Sequence, residues 1–495
     1  MNILGISAGF HDAAATVISP SGEILFAGHS ERYSKKKNDA DFCTPLIREL
    51  ENYNPIDTVA YYERPIMKQL RQLYSGQGIE WNKLSVKKNI HNQIGHANWQ
   101  DVKHYKSYNH HLSHAAAGFQ TSPYQIATVV VIDAVGEWDT VSIWGAMYDK
   151  NLKATYTRLW SQSYPHSIGL FYSAITKRIG LHPLDEEYIT MGMAGWGTPQ
   201  WTEVMRDVLV ENSEQLRFRQ NLHTGLDSNF LDCATNEDIA ASAQQLTEYL
   251  IHQVMTRARN FGWSDNLVYM GGVALNCLAN RRLGECFNNI WIMPCPGDAG
   301  SSLGAAALAY GGRVLWTGAD LGHNIPGDYP VEHAMAALLS DRIVGVASGR
   351  AEFGPRALGN RSLLADPRGA DIKDQVNAIK RRQKFRPFAP VILEELADHY
   401  FVMPNCWSDS RYMQVVAHCR FPEKYPAIIH VDGTSRVQTV PRDGSGIRKL
   451  LEAWYAKTGC PMLLNTSLNI RGEPMVNDRA DADRFETLYG VQVCS

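Results

Sequence analysis

Long apolar runs are missing from this 495-residue sequence. A membrane-spanning helix needs about 18 consecutive apolar residues, and IATVVVI (Ile126 to Ile132) is among the longest stretches present. The N-terminus, MNILGISAGFHDAAATVI, has no basic leader, and His11 and Asp12 interrupt its apolar stretch, so a signal peptide is not expected. Cysteine is sparse: nine residues, scattered and never spaced C-x-x-C. That pattern argues against a disulfide scaffold or a Cys-type zinc site, and it fits reduced thiols in a cytoplasm, the host's if a phage encodes the chain. Low-complexity tracts are absent. So is an excess of one charge: 48 basic against 51 acidic residues give a net charge of −3, which does not indicate a globally basic nucleic-acid binder.

What remains is the composition of an ordinary globular protein, 44% hydrophobic and 20% charged. At about 100–200 residues per domain, the length suggests two to four domains. The charge is unevenly distributed. Between Asp341 and Arg386 there are 11 Lys/Arg and 5 Asp/Glu, a local net of +6, so the rest of the chain carries −9. A cationic pocket for a phosphate-bearing ligand would account for this, as would a solvated charged face.

Two segments share one pattern. Ile3 to Ser30 reads as strand, Gly-rich turn, strand, PSGE turn, strand; Ala127 to Trp160 repeats the order, with an Asp-Lys-Asn turn before its third strand. Each segment is followed by helical sequence. The pattern predicts an α/β fold with a duplicated, actin-like (ASKHA) N-terminal domain over residues 1–325, its pseudo-repeats starting near 3 and 127. The Gly/Pro-rich stretch at 311–335 reads as a linker, and a further α/β unit is expected over 336–495.

In NHHLSHAAAGF, His110 and His114 lie one helical turn apart, a metal-ligand spacing, with His111 pointing elsewhere. Such histidines are more often core or surface residues. Two carboxylates would complete a site. Asp133 ends the strand TVVVID, where side chains point into the ligand crevice of an open sheet. Asp298, in PCPGDAGSSLGAAALAY, has a helix N-cap as its competing role. Two His and two Asp suit Fe first, with Mn or Zn as alternatives. LVYMGGVALN reads as strand, Gly-Gly, helix. It would place Gly271, Gly272 and Asn276 near a nucleotide, although Gly-Gly also serves tight packing. Farther on, GRAEFGPRALGNRS, IKRRQKFRPFAP and HVDGTSRVQTV hold Arg and Lys among Gly, Pro and aromatic residues, which suits bidentate phosphate recognition. NTSLN adds small hydroxyls and amides able to bind an acyl phosphate or adenylate. A structural ion-pair network is the competing explanation.

These motifs, with SAGFHDAAATVI, SERYSKKKND, IGLFYSAIT and NTSLNIRGEP, run in one order along nearly the whole chain and resemble the O-carbamoyltransferase family of NodU, CmcH and TobZ type. The resemblance implies an actin-like transfer domain followed by a YrdC-like domain that makes carbamoyl-adenylate from carbamoyl phosphate and Mg-ATP. The intermediate moves internally, and a metal helps transfer the carbamoyl group to an acceptor hydroxyl, releasing AMP. By motif match, His110, His114, Asp133 and Asp298 would hold the metal. Arg356, Lys380, Arg386, Arg436 and Ser467 would hold carbamoyl phosphate and the adenylate, with Lys380 and Arg386 catalytic. His11 would be the general base. Three features depart from the family pattern. EEYITMGMA has Ile189 where a Lys is usual, so a nucleotide-phosphate contact is missing or supplied from elsewhere. DAVGE has Ala134 for Gly. The chain is also shorter than many relatives.

The acceptor is the open choice: a hydroxymethyl-pyrimidine in DNA or a nucleotide, such as 5-hydroxymethylcytosine, or a small sugar or natural product. The basic, aromatic-bearing stretch Trp81 to Lys106 suits a nucleic-acid strand, though an ordinary surface segment fits it better. Transfer to a tRNA adenosine and a non-enzymatic nucleotide-binding regulator of actin-like fold are the alternatives. The oligomeric state, a homodimer included, is left open.

Overall fold

The computed structural model describes every residue except 96–101, 384 and 445. In the first sheet, Asn2–Ser7 pairs antiparallel with Ala14–Ile18, which pairs antiparallel with Ile24–His29. On its other side Asn2–Ser7 runs parallel to Ile56–Tyr61, which runs parallel to His104–Ser107. The second sheet repeats this order strand for strand. Ile126–Gly136 is flanked on one side by antiparallel Asp139–Tyr148 and then Ala154–Ser163, and on the other by parallel Asn266–Met270 and then Asn289–Trp291. Two five-stranded sheets of identical order make the duplicated actin-like fold. The central strand of each reads as a near-continuous apolar run because both of its faces are covered.

Two small-residue helices, His110–Thr121 and Ser301–Tyr310, pack against each other in this unit. Their sequences are rich in Ala and Gly for a steric reason. A Cβ at Gly304 would lie 1.8 Å from the Ser113 carbonyl oxygen, and one at Gly5 would lie 1.9 Å from that of Ser302. No larger side chain fits at either crossing, and the close approach lets Gln120 Nε2 donate to the Ala307 carbonyl at 2.8 Å.

The chain packs as two units, Met1–Ser34 with Asn38–Gly318, and Lys35–Lys37 with Ala319–Ser495. The stretch that reads as a linker is more ordered than its composition suggests. It contains the strand Asp320–Ile325, paired antiparallel with Gly349–Glu352, and the start of the helix Val331–Ser340. The second unit is a mixed α/β structure. Its six-stranded sheet runs in the order Gln438–Val440, Ala389–Leu393, Met462–Ser467, Arg361–Ala365, Ile343–Ala347, Val493–Cys494. Trp454, from the helix Gly446–Thr458, is fully buried in its core.

In the strand pair that opens this unit, Asp320 faces Glu352 across the ladder. Burial, and then the field of Glu352, push the Asp320 carboxyl up to about 7. The folded chain therefore holds a proton between about pH 4 and 7 that the unfolded chain has released, and stability falls as pH rises through that window. Asp320→Asn should flatten this slope. Its Tm should match the parent near pH 5 and exceed it by several degrees at pH 8 in a thermal melt. A variant whose Tm tracks the parent at both pH values would exclude this origin.

Candidate metal centre and cationic site

The His helix is held at its first turn by three neighbours. Asn109 caps it, its side chain accepting from Leu112 N at 3.0 Å. The Glu137 carboxylate accepts from His110 N at 3.2 Å, Asn109 Nδ2 at 3.0 Å, and Arg64 N and guanidinium at 2.7 and 2.9 Å. Beside it, Gly136 leaves room for the ring, since a Cβ there would lie 2.3 Å from His110 Cδ2. In DAVGE the glycine thus clears the histidine and the glutamate anchors its backbone.

Four buried side chains then converge. His110 Nε2 and His114 Nε2 are 3.1 Å apart. His110 Nε2 lies 3.3 Å from both Asp133 Oδ2 and Asp298 Oδ1. His114 Nε2 lies 3.6 and 3.2 Å from the same atoms. One ligand atom from each residue falls within a 4.8 Å span. The surroundings orient the donors. His114 Nδ1–H donates to the Pro296 carbonyl at 3.0 Å, which leaves Nε2 as the coordinating nitrogen. Asp133 Oδ1 accepts from Gly272 N at 3.2 Å, leaving Oδ2 for the centre. The Asp298 carboxylate makes no capping bond to the helix that follows, so its side chain is not a structural cap. Two imidazole nitrogens 3.1 Å apart cannot face each other as bare lone pairs; a proton or a cation must lie between them. Despite burial, the carboxylates raise both histidines above their usual range, and the histidines hold both carboxylates well below theirs. Two nitrogens and two oxygens, buried and convergent, fit a divalent first-row cation.

His11 stands beside this centre. Its Nδ1 lies 3.1 Å from Asp12 Oδ2 and its Nε2 3.9 Å from Asp298 Oδ2. Burial opposes its charged form, but the Asp12 hydrogen bond and the fields of Asp298, Asp12 and Asp133 prevail and raise it to about 9. His111 points away, its Nδ1 2.8 Å from Ser142 Oγ. The Gly-Gly turn lies against the centre: Gly271 N donates to the Pro296 carbonyl, and Gly272 N is engaged by Asp133. Asn276 exchanges amide hydrogen bonds with Gln244 at 3.0 Å and caps Ala279 N. Glu63, which the motifs did not single out, lies 3.8 Å from His110 Nδ1 and takes Lys68 Nζ at 2.7 Å.

In the second unit, Lys380 is buried at the end of the helix Ala370–Ile379. Its Nζ donates to the Ser467 carbonyl, and meets Ser467 Oγ at 3.2 Å, the Asn469 carbonyl at 2.9 Å and Asn469 Oδ1 at 3.0 Å. Among the described residues no carboxylate pairs with it. Burial, then the nearby Arg382 and Arg386, hold it well below the ordinary lysine range. Arg356 donates to the carbonyls of Tyr412 and Met413. Arg436 ends the strand Thr434–Arg436, with its Nε buried and without a hydrogen-bond partner among the described residues. Asn465 gathers these segments. Its Nδ2 donates to the carbonyl of Ala357, next to Arg356, and to Gln438 Oε1, two residues past Arg436, while Ser467 follows on its own strand. No direct hydrogen bond joins Arg356 or Arg436 to Lys380 among the described residues. Glu352, also missed in the sequence, holds the GPRALGNR loop, one carboxylate oxygen accepting from Leu358, Asn360 and Arg361 N at 2.7, 2.8 and 3.2 Å.

Family models match both parts of the chain: Carbamoyltransferase N-terminus over residues 60–307 and Carbamoyltransferase C-terminus over 335–493. The chain belongs to the carbamoyltransferase family. It is a carbamoyltransferase enzyme. An uncharacterized protein of Synechocystis is 34% identical, over 98% of this chain and 94% of that protein. The nodulation protein NolNO of Sinorhizobium fredii is 30% identical over 95% and 76%. NolO of Bradyrhizobium diazoefficiens is 31% identical over 76% and 75%. Solved structures overlap more loosely. Component A of the (R)-2-hydroxyglutaryl-CoA dehydratase of Acidaminococcus fermentans has a TM-score of 0.36 at 16% identity, covering 63% of this chain and 98% of that one. HypF of T. kodakarensis has a TM-score of 0.35 at 16% identity, covering 62% and 47%. The actin-like assignment rests on the strand order of the two sheets, not on these scores.

In this carbamoyltransferase Ile189, at the usual Lys position, is buried in the helix Glu187–Met193. Of the basic stretch Trp81 to Lys106, residues 96–101 lie outside the described residues; the remainder forms a turn, the helix Val86–Ile94 and the edge strand His104–Ser107. Among the described residues no helix is long and apolar enough to cross a membrane.

Proposed function

We propose that the chain is an ATP-dependent O-carbamoyltransferase that works through carbamoyl-adenylate. In the second, YrdC-like unit carbamoyl phosphate and water give carbamate and phosphate. A carbamate oxygen then attacks the α-phosphorus of Mg-ATP and pyrophosphate leaves. Carbamate alone is a poor acyl donor, and the adenylate supplies the leaving group. Lys380, Arg386, Arg356 and Arg436 offset the charge of two phosphorylated substrates and the charge that builds at the reacting phosphorus. Ser467 and Asn469, already bonded to the lysine, set its direction.

In the first unit the acceptor hydroxyl attacks the carbamoyl carbon and AMP departs. The arrangement of His110, His114, Asp133 and Asp298 beside His11 carries this assignment. The four would hold Fe, or else Mn or Zn, whose chemistry when bound is to polarise the carbonyl or the adenylate phosphate. Asp12, accepting from His11 Nδ1–H, turns Nε2 toward the centre; a cation held by the four donors would oppose the carboxylate fields that raise His11 and free Nε2 to take the proton of the hydroxyl. Gly271, Gly272 and Asn276 line the nucleotide side of the same crevice. Burial in the centre keeps water from the intermediate. The acceptor is a hydroxymethyl-pyrimidine or a small sugar or natural product, and the setting is cytoplasmic.

The test is a single incubation of the protein with ATP, carbamoyl phosphate, Fe²⁺ or Mn²⁺ and DNA containing 5-hydroxymethylcytosine, reading AMP and the masses of the digested nucleosides. A carbamoylated nucleoside establishes the reaction and a base as acceptor. AMP with unmodified nucleosides keeps the reaction and points to a small hydroxylated molecule. Absence of AMP with every acceptor offered would overturn it.

A further inference from the structure

Buried polar atoms without hydrogen-bond partners are costly and few in a folded chain. In the second unit Ser362 Oγ, Asn465 Oδ1, Arg436 Nε and His430 Nε2 are such atoms among the described residues. Strand register gathers them. Ser362 faces Ser467 across the ladder, and Asn465 stands two residues before Ser467, so the three share one face of the sheet. On that face Ser467 Oγ meets Lys380 Nζ at 3.2 Å. Gln438 faces Val391, and Val391 faces Leu463, two residues before Asn465. Gln438 is therefore on the same face, where its Oε1 accepts from Asn465 Nδ2 at 2.7 Å. Arg436 precedes it by two residues, and the strand Thr434–Arg436 packs against Ala389–Leu393, so alternation brings Arg436 and Thr434 to this face as well.

His430 joins them through a tight turn. Its N donates to the Thr434 carbonyl at 2.9 Å, and Gly433 N donates to the His430 carbonyl at 3.0 Å, with Gly433 at φ 77°. This is a hairpin closed by a glycine bulge, which sets His430 and Thr434 opposite each other. Their side chains meet on one acceptor: Asp432 Oδ1 takes Thr434 Oγ1 at 2.7 Å, Thr434 N at 3.0 Å and His430 Nδ1 at 3.3 Å. A separate contact ties the hairpin to the lysine's helix. Lys373 and Lys380 are seven residues apart, so they lie on one side of Ala370–Ile379 and its cap. Lys380 Nζ donates to the Ser467 carbonyl, and Lys373 Nζ donates at 3.4 Å to the carbonyl of Ile429, the residue before His430. Burial, then the field of Arg382, lowers both lysines. His430 is only 8% exposed. With Nδ1–H held by a carboxylate, its lone pair is on Nε2, the buried atom.

We propose that His430, oriented by Asp432, is the general base that delivers water to carbamoyl phosphate. This rests on the reaction assigned above, in which carbamoyl phosphate and water give carbamate in this unit. The water oxygen bonds to the carbamoyl carbon and one of its protons passes to Nε2. The bond from that carbon to the phosphate oxygen breaks, and phosphate leaves with the electron pair and takes the proton back from the imidazolium. The second water proton is released as carbamic acid ionises to carbamate. Arg436 Nε, on the same face, holds the departing phosphate. The test is His430→Asn in the full chain, its fold checked by a thermal melt. Asparagine Nδ2 keeps the bond to Asp432, and only Nε2 is lost. With ATP present, kcat for phosphate release from carbamoyl phosphate should fall about 10²–10⁴-fold, with KM within about threefold of the parent. Given ammonium carbamate and ATP instead, the variant should release pyrophosphate within about twofold of the parent, because carbamate arrives ready made. Parent-like hydrolysis by the variant, a raised KM at unchanged kcat, or an equal loss with carbamate overturns the proposal. If free carbamate does not serve the parent, the split between kcat and KM decides alone. A parent that releases neither phosphate nor pyrophosphate from carbamoyl phosphate and ATP overturns the reaction itself, and the role of His430 with it.

Discussion

His114→Ala should abolish carbamoyl transfer and leave carbamoyl-adenylate formation standing. The imidazole is fully buried and contributes one of four convergent donors, with Nε2 3.2 Å from Asp298 and 3.1 Å from the Nε2 of His110. Alanine removes that donor and leaves the Pro296 carbonyl with Gly271 N as its remaining partner. Ligation and transition-state polarisation are each worth several kcal/mol, so transfer should fall more than about 100-fold. Bound metal should fall to background by elemental analysis. Pyrophosphate release driven by carbamoyl phosphate and ATP is assigned to the other unit and should persist within about twofold of the parent. A variant that loses metal yet transfers at the parent rate would remove the centre from the reaction. One that loses pyrophosphate release as well would show that the two units do not divide the chemistry as proposed. Circular dichroism and a thermal melt guard against simple unfolding, since losing a buried imidazole also leaves the two carboxylates with His110 as their one histidine partner.

Lys380→Met should have the opposite signature. Methionine nearly matches the volume of the stem but cannot donate to the carbonyls of Ser467 and Asn469 or to their side chains. Losing a preorganised donor at a developing charge typically costs about 10²–10³ in rate, and pyrophosphate release should fall by that factor. Metal content should be unchanged. The oxygens left without a donor cost about 1–3 kcal/mol each when buried, so the melt of the second unit should also move down by several degrees. Lys380→Arg should not rescue the rate, because a planar guanidinium cannot enter a space closed by four oxygens around a single nitrogen. Parent-like pyrophosphate release in Lys380→Met would return the lysine to a structural role.

The contrast between the two sites explains how much could be read from residues alone. His110 and His114 are legible because helical periodicity places residues four apart on one face. Asp133 is legible because a strand end in an open sheet points at the crevice. Asp298 is ambiguous in the sequence: a carboxylate before an Ala-rich helix is what capping requires, and only its observed direction, toward the imidazoles and away from the helix amides, separates the roles. Glu63 and Glu137 carried no local signal of their function. One acts from the end of a different strand, and the other through a positive-φ turn (57°) that brings its carboxylate back to the first turn of the His helix. In the second unit the Arg-rich motifs announced a cationic site, but Asn465 and Asn469, embedded in the same NTSLN segment, divide their work between scaffold and lysine in a way that only packing shows. DLGHNI carries no strand signal of its own because it has little alternation. Its strand character comes from the partner Gly349–Glu352, across the ladder.

By itself the sequence determined the duplication, the α/β class, the motif order that places the chain among carbamoyltransferases, and the identity of the four candidate ligands. The duplication, the class and the candidate ligands follow from periodicity, turn chemistry and residue type, which are local along the chain; the family follows from the resemblance of the ordered motifs. Only the tertiary structure decided that the four donors meet within 4.8 Å and that Lys380 is buried with no carboxylate beside it among the described residues. Convergence and desolvation depend on which distant segments pack together, and no local pattern encodes that.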